Sequence, residues 1–118
     1  MSVRRFPVRE PRPGTVVVDL SGDLRSETRE ALQAAYAEAA AAGPHTVVLG
    51  MTGVGYVNST GIALLVDLLA RARRDGRAVA AFGLTEHYRE VFAITRLSEF
   101  ISVHDDEPGA LGHVPTGA

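Results

Sequence analysis

With no cysteine among its 118 residues, the chain must carry out any covalent or metal chemistry with hydroxyls, histidines and carboxylates. Thiol nucleophiles, cysteine-ligated zinc, iron–sulfur clusters and disulfide scaffolds are excluded outright. The histidines, His45, His87, His104 and His113, show no spacing that pairs them with a serine or with each other, so neither a catalytic dyad nor a metal site is predicted. The hydroxyl in the most suggestive setting is Ser59, in the run Asn58-Ser59-Thr60-Gly61 at the head of an apolar segment. Asn58 or Ser59 can cap a helix there by accepting a bond from a first-turn N–H. A helix start is also an anion site, where a phosphate meets backbone donors and the positive end of the dipole. Gly61 removes a side chain beside Ser59 and would let another protein approach the backbone.

Sharper chemistries fail on spacing. A nucleophile elbow needs a glycine two residues before its serine, and Val57 stands there. The glycines of Gly53-Val-Gly55 are followed by no lysine, so there is no P-loop. Asn58-Ser59-Thr60 fits the N-glycosylation sequon, which has meaning only on a secretory route. Ser59 is therefore read as a contact or an acceptor of modification. No enzymatic activity and no cofactor are expected.

The elements that must carry this run follow from pattern. Val3 to Arg9 suits a first strand, restricted to a sheet edge by Pro7. Thr15 to Leu20 is a β-branched run ended by Ser21-Gly22, and Thr46 to Met51 is a continuous apolar run suited to a strand buried on both faces. Glycines between Thr52 and Val57 suggest a loop. Arg77 to Phe82 and Ile101 to Val103 complete the predicted strands. Helices are predicted from a Ser26 cap to Ala42, stopped by Gly43-Pro44, then from Ser59 to Arg74, then from a Thr85 cap to Ile94. The order implies an α/β fold with a mixed β-sheet of four to five strands, its centre parallel, and helices mainly on one face. One domain spanning 1–105 is expected, with 106–118 a disordered tail.

On the second helix, Ile62, Leu65, Val66 and Leu69 form the predicted core face. Leu64 and Leu68 lie beside it. Either a neighbouring element covers them, or they form an apolar patch ready for a partner.

Twelve basic residues, all arginine, oppose fourteen acidic ones. Nucleic-acid binders draw affinity from a basic stripe, so that class is not expected. Arg71, Arg73, Arg74 and Arg77 cluster, but Asp67 and Asp75 interrupt them, which reads as a solvated helix end. The arginine pair near the start precedes prolines and charges instead of an apolar stretch, unlike a twin-arginine signal. No apolar run approaches the ~20 residues that span a bilayer, so no membrane contact and a cytoplasmic location are expected.

The segments Leu20-Ser-Gly-Asp-Leu24, Val47-Val-Leu49 and Val54-Gly-Tyr-Val-Asn-Ser-Thr-Gly-Ile62 resemble the STAS domain, and more narrowly the bacterial anti-sigma factor antagonists. Phe92 to Val103 resembles that family's closing helix and strand. The resemblance implies a STAS fold and a partner that is an ATP-binding anti-sigma factor serine kinase. It implies that Ser59 is the phosphorylated switch, and that phosphorylation releases the antagonist from the kinase. Asp23, Asn58, Ser59, Thr60, Gly61, Leu64 and Leu68 would then form the partner-binding surface, with the chain a monomer or weak homodimer. Two positions depart from the family pattern: Asn58 stands where an aspartate usually precedes the switch serine, and Gly50 where an aspartate usually ends the central strand. Both favour an alternative, a STAS scaffold or accessory module that is not phosphorylated, in a signalling assembly or a lipid-transport complex.

Overall fold

A computed structural model describes residues 6–112. Two β-branched runs, β2 (Thr15–Leu24) and β3 (Thr46–Val57), pair in parallel at the centre of the sheet. Antiparallel β1 (Val8–Arg12) lies outside β2, and parallel β4 (Ala78–Phe82) and β5 (Ser102–His104) follow β3, giving the order β1-β2-β3-β4-β5. The mixed sheet expected from the sequence is present with five strands. The start of the expected first strand lies outside the described residues.

Alternation along the strands sends Val16, Val18, Leu20, Val47, Leu49 and Met51 to one face. There they pack with α1 (Arg29–Ala41), α2 (Ser59–Arg74) and α3 (Glu86–Ile94) in the main core. Each such side chain, fully buried, contributes about 1.5–3 kcal/mol relative to exposure. Val17, Val48, Ala80 and Phe82 point to the other face.

That second face is covered by a segment expected to be tail. Glu107–Gly112 forms a short helix, α4, which lays buried Ala110 and half-buried Leu111 against Val17, Val48, Ala80 and Phe82. Without it those four side chains would face water, which is why the chain folds back. Arg9 fastens the segment. Its Nε donates to Asp19 Oδ2 at 2.7 Å, and its Nη1 and Nη2 donate to Glu107 Oε2 and Oε1 at 2.8 and 2.6 Å. The Arg9 bonds hold the Glu107 carboxyl below its ordinary value. Arg12 also donates to the carbonyl of Leu111. The rest of the expected tail, 113–118, lies outside the described residues.

β2 and β3 both continue past their expected ends. Ser21 pairs with Gly53, Gly22 with Val54 and Leu24 with Val57, across two register shifts. A parallel partner supplies the hydrogen bonds that a loop reading denies to a glycine-rich segment, and Gly22, at φ 75°, accommodates the irregularity. β4 is in register only as far as Phe82 opposite Gly50. The two central strands therefore reach beyond it as a ribbon, and α2 begins at the end of that ribbon.

Candidate functional site

Asn58 leaves the ribbon extended, at φ −87° and ψ −178°, and caps α2: its Oδ1 accepts from Gly61 N at 2.8 Å. Its own N–H donates to Leu24 O at 3.2 Å, which fixes the helix start to the last residue of β2. Immediately before it, the Val57 N–H donates to the Tyr88 hydroxyl at 2.8 Å in a buried bond from α3. Three elements thus set one turn. Ser59, the first residue of α2, is exposed, and Thr60 and Asn58 are half-buried. Among the described residues no side chain bonds to the Ser59 hydroxyl. With no acidic residue in the first turn, the positive end of the helix dipole is uncompensated there.

Asp23 stands on the ribbon one residue before Leu24, half-buried, and a Cβ at Gly55 would lie 3.1 Å from its Oδ1. Asp23 and the Asn58–Thr60 turn are therefore at the same end of the sheet. Tyr56, on the ribbon three residues before Ser59, is 58 % exposed. Sequence reasoning passed over Tyr56, although an aromatic residue set among glycines on a strand expected to be a loop was the available signal. It also missed Tyr88, which no local pattern connects to Val57.

Three expected contact residues are corrected by the structure. Leu64 and Leu68 are 3 % and 4 % exposed, and they line a narrow cleft with Leu32 and Tyr36 of α1. A neighbouring helix covers them, so they offer no docking patch, and the weak homodimer expected through them loses its basis. Gly61 is also buried. A Cβ at that position would sit 2.8 Å from the carbonyl carbon of Leu24 and 2.9 Å from Val57 Cγ1, so the space beside Ser59 is filled by the chain itself. The whole helix is turned by roughly 80° from the expected orientation, taking 100° per residue. Gly61, Leu64, Leu65, Leu68, Leu69 and Ala72 face inward, whereas Val66 is 43 % exposed and Ile62 only half-buried. The close approach at Gly61 sets this rotation.

Among the described residues no cluster of three or more histidines and carboxylates is placed to hold a metal. No described helix is long and apolar enough to cross a membrane. The described residues form a small α/β domain in which a capped helix start sits at the end of a two-stranded ribbon.

The family model described as "Mlab, STAS domain" matches residues 9–103, and the chain belongs to that family. No functionally curated protein matches the sequence. Among solved structures, a putative anti-sigma factor antagonist from Thermotoga maritima superposes with TM-score 0.78 at 17 % identity, covering 92 % of this chain and 93 % of that one. An anti-sigma factor antagonist from Mycobacterium paratuberculosis gives 0.73 at 24 %, covering 92 % of each chain. The phosphorylated form of the Bacillus cell fate determinant SpoIIAA gives 0.69 at 19 %, covering 91 % of this chain and 96 % of the other. At these identities the likeness is one of fold.

Proposed function

We propose that the chain is an anti-sigma factor antagonist. It docks on an ATP-binding serine-kinase anti-sigma factor through Asp23, Asn58, Ser59 and Thr60, with Tyr56 added to the surface, and is released when Ser59 is phosphorylated. The observation that carries this reading is the exposed Ser59 hydroxyl at the first position of a firmly held helix. A kinase can reach it, and a docked partner would enclose it. Similarity to antagonists, one of them solved in a phosphorylated form, supports the same assignment.

The sign of the switch follows from two magnitudes. A phosphate adds about −1.5 to −2 charges at pH 7. On the free chain, that charge at the helix N-terminus is worth about 0.3–1 kcal/mol in favour of the fold, so modification does not unfold the protein. Enclosed in an interface without a counter-charge, the same group costs several kcal/mol in desolvation. Release therefore comes from the interface alone. The antagonist is the kinase's substrate, carries out no chemistry and works in the cytoplasm as a monomer.

Binding of the cognate kinase to Ser59→Asp and Ser59→Ala variants tests the reading. Ser59→Asp should lose on the order of a hundredfold in affinity, about 2.7 kcal/mol. Ser59→Ala should bind and resist release by ATP. Wild-type behaviour in both variants refutes the switch.

A second reading is favoured by the Mlab description of the matching family and by neutral Asn58: an accessory module that binds its partner without phosphorylation. Mass spectrometry after incubation with kinase and ATP separates the two. A wholly unmodified Ser59 supports the second.

A further inference from the structure

We propose that the chain carries a separate docking groove between α2 and the turn that follows α3, and that its occupant is an acidic amphipathic helix from another protein. The groove has a volume of about 510 Å³. Buried Leu69, Val79 and Leu97 form its floor, and Val66 and Phe100 form its walls. Val66 and Phe100 are 43 % and 52 % exposed, and Ile94, at 80 %, adjoins the lining residue Thr95. Two of the four large hydrophobic side chains exposed among the described residues, Val66 and Phe100, thus line this one groove, while Ile94 lies outside its lining and Tyr56 on the ribbon. Isolated exposed apolar residues are ordinary, but a contiguous set lining a concave surface marks an interaction site. A groove between two helical elements suits an apolar helical ridge.

The charge on the rim selects the partner's sign. Three arginines, Arg73, Arg77 and Arg96, line the groove against one carboxylate, Glu99. Their roles differ. Arg77 is tied to Asp75 at 2.9 Å and donates to the carbonyls of Pro44 and Ala40, so it serves the fold. Arg73 lies 5.1 Å above the Phe100 ring and has no carboxylate partner among the described residues. Arg96 touches Glu99 at 2.9 Å with its side chain 77 % exposed. Stacking on Phe100 holds the Arg73 guanidinium beside an apolar wall, which is where a carboxylate flanking an apolar anchor would meet it.

Arg96 adds an independent mark. At φ 66° it is the one non-glycine residue with positive φ among the described residues. Glycine would hold that turn without strain, so the guanidinium is kept at a conformational cost. The site is remote from the switch: Ser59 and Ala70 are eleven residues apart on α2, about 16 Å along its axis.

The test titrates the ¹⁵N-labelled chain with a synthetic helical peptide bearing leucines at i, i+3, i+4 and i+7 and glutamates on the flanks. A second peptide has lysine in place of every glutamate, and a third probe is dodecanoate. The acidic peptide should shift amides around Val66, Ala70, Arg73 and Phe100, with the lysine peptide at least about tenfold weaker. Arg73→Glu should invert that preference. Arg96→Gly should raise the thermal midpoint and still weaken the acidic peptide, a combination that a purely structural role cannot give. Ser59→Ala should leave the titration unchanged, which keeps this result separate from the switch. Equal binding of both peptides, shifts elsewhere, no shifts, or shifts from dodecanoate alone would each overturn the proposal.

Discussion

Replacing Gly61 by alanine tests the central placement of the site, because two readings of that glycine give opposite signs. If the glycine were open toward a partner, alanine would raise stability by about 1 kcal/mol through helix propensity and would harm only binding. The structure gives the reverse. The new methyl group would lie 2.8 Å from the carbonyl carbon of Leu24 and 2.9 Å from Val57 Cγ1, whereas Cβ atoms essentially never come within 3.0 Å of another heavy atom. Neither neighbour can yield easily, since Leu24 and Val57 are register partners buried at 0 % and 6 % exposure. The strain of such overpacking is about 1–3 kcal/mol. Moving α2 outward also weakens the bond from Asn58 N to Leu24 O, worth about 1 kcal/mol. Against the propensity gain, the net loss is about 1–3 kcal/mol, or roughly 4–12 °C in thermal midpoint for a domain of this size. Urea and thermal unfolding measure it directly, and Ala63→Gly, at an exposed position of the same helix, calibrates the propensity contribution. A Gly61→Ala variant as stable as the parent, or more so, would refute the packing on which the orientation of Ser59 depends.

Other outcomes follow from the same geometry. Asn58→Ala removes the cap on Gly61 N and should cost about 1 kcal/mol in chemical denaturation, whereas Asn58→Asp should keep the cap and match or exceed wild-type stability. Tyr88→Phe leaves the buried Val57 N–H without its acceptor and should cost about 1–3 kcal/mol, with hydrogen exchange fastest to rise at Val57. The Glu107 carboxyl, held low chiefly by its bonds to Arg9, titrates at a lower pH in the folded chain than in the unfolded one. Its contribution is therefore full above the ordinary value of 4.5 and fades as pH falls through the lowered value. Amide protection at Ala110 and Leu111 should decline in that acid range, and Glu107→Gln should show the same loosening at neutral pH.

The sequence was most legible where a side chain closes an element locally. Helices α2 and α3 begin where Asn58 and Thr85 announce them, and each cap makes the expected bond, to Gly61 N and Tyr88 N. The β-branched runs located the centre of the sheet. Strand ends were less legible, because the ribbon from Ser21 to Leu24 and from Gly53 to Val57 owes its order to the pairing of two distant segments. The inward face of α2 was misjudged for a related reason. Ile62, Leu64, Leu65, Val66, Leu68 and Leu69 surround most of the helix, so periodicity left the orientation open, and the contact between Gly61 and Leu24 decided it. Segment α4 carries one buried alanine in six residues, too little signal to separate it from a tail.

The two departures from the family pattern have different standing. A side chain at Gly50 would place its Cβ 2.7 Å from Asp19 Oδ1 and 2.9 Å from Phe82 Cζ. Asp19 is the register partner of Gly50, so the position that an aspartate on β3 would occupy is already taken by an aspartate on β2. That carboxylate belongs to the face covered by α4 and pairs with Arg9, which also holds Glu107. Gly50 is thus the counterpart of a fastening on the far side of the sheet and carries no weight against docking or modification at the ribbon end. Asn58 is different, because it caps the helix that begins with Ser59. As a neutral cap it orders α2 as well as an aspartate would, but it leaves the helix N-terminus without a negative charge beside Ser59. An incoming phosphate would then meet the dipole with no repulsion from the first turn of α2 itself, so phosphorylation should stabilise this chain more than one with aspartate at that position. A thermal midpoint that rises more on phosphorylation of wild type than of Asn58→Asp would bear this out, and a smaller rise in wild type would refute it.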